Sequence, residues 1–102
     1  MKFNKLVRDK IPEIIKSNGE NPITHIADEE EYNEALMNKL HEEVTEFLED
    51  PSLEELADII EVLNAICAFK NIDLTKLEEV QERKFEECGG FEEDIILDEV
   101  ER

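Results

Sequence analysis

Positive charge is scarce in this chain. Eleven Lys and Arg stand against 29 Asp and Glu, a formal net charge of −18 over 102 residues. The field of such a chain repels phosphate backbones and anionic headgroups, which excludes nucleic acid and anionic membrane as partners. Cysteine is scarce too. Cys67 and Cys88 form no CxxC pattern, and read as reduced thiols of a cytoplasmic protein. No apolar run reaches the ~20 residues of a membrane span, and the opening MKFNKLVRDK carries no apolar stretch of a secretion signal. Internal repeats and low-complexity segments are absent.

What is present is enough for a folded domain. Hydrophobic residues make up 40% of the chain, too many for a disordered acidic tail. Residues 1–102 read as a single domain. A domain of this size has a modest core, so a homodimer or homotetramer is expected. The acidic residues are spread as pairs along helical stretches, and most of these pairs read as solvated faces.

One stretch is different. Residues 40–63, LHEEVTEFLEDPSLEELADIIEVL, read as two helices joined by a turn at Glu49-Asp50-Pro51-Ser52. Pro51 cannot continue the first helix, and Ser52 is a good N-cap for the second. Glu43 and Glu46 are three residues apart, as are Glu55 and Asp58, so each pair shares a helix face. In an antiparallel hairpin, Glu46 and Glu55 are equidistant from the turn, as are Glu43 and Asp58. The four carboxylates therefore gather on a patch roughly 5 Å tall. They repel one another and raise one another's pKa values unless protons or cations neutralise them. A hard divalent cation, Mg2+ with Mn2+ as substitute, is the natural partner for such oxygen ligands. The competing reading is a solvated face, with Glu55 serving only as the capping-box partner of Ser52. Asp58 resists that reading, since Ala57 and Ile59-Ile60 flank it on the most apolar helix.

The rest of the chain frames this hairpin. Lys2, Lys5, Arg8 and Lys10 make the N-terminus basic. Residues 11–18 predict a short helix with Pro12 in its first turn and Gly19 as its stop. Asp28, with Glu31 as capping-box partner, opens the first hairpin helix. The second hairpin helix is apolar on more than one face, which suits the centre of a bundle or a subunit interface. Residues 74–88 form a last helix ended by Gly89-Gly90. Ile23–Ile26 and Ile95–Leu97 are the two candidates for a small two-stranded β trim. The expected fold is an all-α helical bundle of three long helices and one short N-terminal helix. His25 and His41 sit in no HxxxH or ExxH pattern, which argues against a di-iron bundle.

The residues Glu42-Glu43-Val44-Thr45-Glu46 and Glu55-Leu56-Ala57-Asp58 resemble the EExxE…ExxD signature of the MazG-like all-α nucleoside triphosphate pyrophosphohydrolases. Asn4-Lys5-Leu6-Val7-Arg8-Asp9-Lys10-Ile11-Pro12 and Gly89-Gly90-Phe91 are similar to the two ends of a small phosphoribosyl-ATP pyrophosphohydrolase-like subgroup. The likeness spans nearly the whole chain. Cys88 stands where that subgroup is expected to carry an Arg. The resemblance implies Mg2+ held by Glu43, Glu46, Glu55 and Asp58. It implies hydrolysis of a nucleotide at the α–β phosphate bond to a monophosphate and pyrophosphate, in a house-cleaning role. Glu42 and Glu43 are then the catalytic candidates, with Glu42 orienting or deprotonating the attacking water. Lys5, Arg8, Lys39 and Lys84 are candidates for the phosphates, and Asn64 for the base or sugar. The alternative is a non-catalytic acidic helical module that binds a protein or a metal through the same surface.

Overall fold

The computed structural model describes residues 4–102. These residues form four helices: α1 (Ile11–Ser17), α2 (Glu29–Glu49), α3 (Leu53–Phe69) and α4 (Leu74–Cys88). The all-α expectation, three long helices and a short first one, agrees with this. The chain divides into two compact units, the first running up to Lys70 and the second covering Asn71–Arg102.

In the first unit, local chemistry sets the helix ends. Pro12 sits in the first turn of α1, and Gly19 follows with φ +83°, a backbone conformation that costs glycine little. Asp28 caps α2 by accepting from the Glu31 amide, and Ser52 caps α3 by accepting from the Glu55 amide at 3.2 Å. The Glu31 carboxylate does not close its capping box. It takes the His25 ring instead, at 2.8 Å.

The loop of residues 50–52 turns the chain, and α2 packs against α3 as an antiparallel pair. The register set by the turn persists to the far end of the hairpin. Tyr32 and Phe69, equidistant from the turn, meet edge to face with ring centroids 5.1 Å apart, and Lys70 donates to Asn33 at 3.2 Å. The core between the helices is small. Leu36, 1% exposed, is its most enclosed side chain, and Val62 and Cys67 complete the buried apolar set among the described residues. Leu53, Leu56, Ile60 and Leu63 on α3 remain exposed, so this unit leaves an apolar face of its most hydrophobic helix uncovered.

The second unit consists of α4 and the segment after it. Asp73 caps α4 and Gly89, with φ +79°, ends it. Leu74, Leu77, Val80 and Phe85 are exposed along the helix, and Arg83 pairs loosely with Glu87 at 3.9 Å.

The β trim is not present: the described residues contain no strand. Ile23 and Ile26 stand almost fully exposed, and Ile95, Ile96 and Leu97 are largely exposed. A short β-branched stretch holds no strand geometry without a hydrogen-bonded partner.

Candidate functional site: an acidic cluster on the helical hairpin

The hairpin brings the acidic pairs together as the turn geometry requires. One carboxylate oxygen from each of Glu43, Glu55 and Asp58 lies within 4.8 Å of the others. Glu46, the fourth acid, lies close enough to Glu55 to raise its pKa, but falls outside the tightest group. Glu43 is 6% exposed, the most enclosed charged residue described. Two carboxylate oxygens, Glu43 Oε2 and Glu55 Oε2, are cut off from solvent and meet no hydrogen-bond donor. Buried polar atoms are nearly always satisfied, so these two oxygens are exceptions within the fold.

The charges shift ionisation in the expected direction at one position. Desolvation raises the Glu55 carboxyl above the ordinary glutamate range, and the charge of Glu46, the hydrogen bond with it and the charges of Glu43 and Asp58 raise it further. Ser52 uses the backbone amide of Glu55, not its carboxylate, so capping leaves that carboxylate for the cluster.

Cations border the cluster. Lys39, one turn before Glu43, lies 3.2 Å from Glu43 Oε1 and 3.2 Å from Glu42 Oε2. Burial alone would lower the Lys39 pKa, but the hydrogen bonds it donates to Glu43 and Glu42 and their charges outweigh it and raise the pKa. The segment of residues 4–10 crosses both hairpin helices. Lys5 reaches Glu42 on α2 at 3.0 Å, and Arg8 Nη2 donates to Asp58 Oδ1 on α3 at 2.8 Å.

These pairs change the reading of Glu42. Burial would raise its pKa, but hydrogen bonds from Lys5 and Lys39, with their charges, bring it below the usual glutamate value. Glu42 thereby holds two lysines, Lys5 and Lys39, beside the cluster.

The remaining candidates are each described within their own unit. Asn64 is exposed, since six residues past Asp58 it has turned about 120° away from it on the helix. Lys84 is exposed on α4, in the second unit. His41 is exposed, and His25 is occupied by Glu31.

A cleft of about 250 Å3 opens beside Lys39 and Glu42, lined by Asn4, Lys5 and Leu6 of the N-terminal segment and by Asn38, Lys39 and Glu42 of α2, among others. The sequence does carry a signal for it, because Asn38 precedes Glu42 by one helical turn and shares its face.

No helix among the described residues is long and apolar enough to cross a membrane. No protein-family model matches the chain, and no solved structure matches it. A protein of Mycolicibacterium smegmatis described as uncharacterized is 48% identical to this chain over 42 residues. That segment is 41% of this chain and 43% of the relative, so the chain spans less than half the length of the protein it is similar to.

Proposed function

We propose that the cluster is a divalent-cation site and that the chain is a Mg2+-dependent nucleotide pyrophosphohydrolase of the MazG-like kind. The observation that carries this reading is the pair of buried, unpartnered oxygens, Glu43 Oε2 and Glu55 Oε2, within an all-carboxylate group. Uncompensated buried carboxylates are costly, and anionic oxygen donors suit Mg2+ or Mn2+ better than softer metals. Glu43, Glu55 and Asp58 would hold the ion, with Glu46 behind Glu55. When bound, the cation supplies charge neutralisation for an anionic polyphosphate and makes a water more acidic.

The chain's own groups do the rest. Lys39 keeps an ammonium beside the carboxylates and is oriented by Glu42, which suits it to a phosphate oxygen. Lys5 is held to the same Glu42, and Arg8 lies across the cluster. The cleft along α2 adjoins Lys39 and offers room for the rest of the nucleotide. The resemblance of the acidic signature and of both chain ends to the MazG-like enzymes supports the same chemistry, with cleavage between the α and β phosphates.

The uncovered face of α3, with Leu56, Ile60 and Leu63 exposed, supports a homodimer or homotetramer as the working form. The same exposure favours a second reading, an acidic helical module that binds a protein partner without catalysis. One experiment separates the two: incubation with a panel of nucleoside triphosphates and Mg2+, following pyrophosphate. Release with at least one nucleotide is expected. A folded protein inert across the panel would favour the binding module.

A further inference from the structure

The Arg8–Asp58 pair joins residues 50 positions apart in sequence and puts a permanent cation on one of the three clustered carboxylates. This arrangement has a consequence for cation binding, given the reading of the cluster as a divalent-cation site. We propose that Arg8 is a resident counter-ion of the cluster, exchanged when a divalent cation enters, and that the exchange releases the N-terminal segment from α3.

Three observations carry this. First, Arg8 binds Asp58 and leaves Glu43 Oε2 and Glu55 Oε2 unmet. The guanidinium therefore neutralises the cluster in part. Second, the pair is accessible, with the Arg8 side chain 55% and the Asp58 side chain 38% exposed. Such a pair is held weakly and exchanges with solvent. Third, Arg8 precedes α1 in a stretch with no regular structure, so its release breaks no helix. A divalent ion held by Glu43, Glu55 and Asp58 would sit within a few ångströms of the guanidinium, and like charges that close repel. Arg8 must then leave Asp58, and its freed donors become available to an anionic phosphate, for which the planar guanidinium is well shaped.

Calorimetric titration with Mg2+, without nucleotide, tests this on the full-length chain. Wild type is compared with Arg8→Gln and with Lys16→Gln, which removes the same charge from the last turn of α1. Arg8→Gln should bind Mg2+ roughly two- to fivefold more tightly, the range expected on removing an exposed competing pair. Lys16→Gln should match wild type. In wild type, Mg2+ should also speed tryptic cleavage after Lys5 and Arg8. An Arg8→Gln affinity equal to or weaker than wild type, or N-terminal cleavage slowed by Mg2+, overturns the exchange while leaving the cation site standing. Absence of Mg2+ binding in all three proteins overturns both.

Discussion

Replacing Glu43 by Gln removes one charge from the cluster and keeps the side chain's size. Without divalent cation, two effects oppose each other. Glu43 loses its attraction to Lys39 at 3.2 Å, about 5 kcal/mol at an effective dielectric constant of about 20. It also escapes repulsion by Asp58, whose oxygen lies within 4.8 Å, about 3.5 kcal/mol on the same scale. Repulsion by Glu55 adds to that relief, while Arg8 beside Asp58 softens it. The terms nearly offset, so the metal-free variant should differ from wild type by less than about 2 kcal/mol, within the ordinary range for a point substitution. With Mg2+ the outcome is unequal. A wild-type site with a Kd on the order of 1 mM gains about 1.4 kcal/mol at 10 mM Mg2+, a rise of about 5–10 °C in Tm for a domain of this size. Glu43→Gln should lose most of that rise, whereas Glu78→Gln on α4 should keep it. The wild-type rise should be larger at pH 8 than at pH 5, where protons compete for the carboxylates. NaCl at matched ionic strength should give less, because it screens without coordinating. Thermal melts followed by circular dichroism measure all of this. Equal Mg2+ shifts for Glu43→Gln and Glu78→Gln would mean diffuse screening of a −18 chain, and would refute the reasoning.

Three further outcomes are expected. Lys39→Met should destabilise the metal-free protein by about 3 kcal/mol in urea unfolding, because it leaves the enclosed Glu43 charge without its partner. The pH dependence of stability should carry opposite signs at Glu55 and Glu42. The raised Glu55 carboxyl costs stability as pH climbs from the ordinary glutamate range through its folded value, so Glu55→Gln should flatten that loss. The lowered Glu42 carboxyl adds stability above the ordinary glutamate range that disappears as pH falls through its folded value, so Glu42→Gln should weaken the protein at pH 7 and not at pH 2; melts in EDTA across pH read both. Ile60→Glu places a charge on the exposed face of α3 and should shift the species seen by light scattering from dimer or tetramer to monomer, while a wild type already monomeric at micromolar concentration would contradict the assembly.

Much of the hairpin was legible because its determinants are local. Pro51 and Ser52 fix the turn, and a fixed turn fixes which residues face each other, down to Tyr32 and Phe69. The caps at Asp28 and Ser52 and the stops at Gly19 and Gly89 follow from side-chain and backbone preferences within a few residues. What was not legible depends on distant partners. Lys5 and Arg8 are recognisable as a basic run, yet nothing local says that they engage Glu42 and Asp58, 37 and 50 residues away. Glu42 reads as a candidate to act on the water, and the Lys5 contact on it is visible only in the fold. Glu31 looked like half of a capping box, but the His25 ring offered its carboxylate a better partner. The β trim required two segments to find each other, and β-branched content alone does not supply a ladder. The exposure of Asn64 follows from its phase on the helix, which turns it away from Asp58.

The most direct measurement is Mg2+-dependent pyrophosphate release by wild type and by Asp58→Asn, with helix content checked by circular dichroism. Asp58 contributes an oxygen to the tightest part of the cluster, and the amide removes a charge with almost no change in shape. Release by wild type, none by the variant, and the same helical signal from both are expected. Wild-type turnover in Asp58→Asn would contradict the proposed cation site.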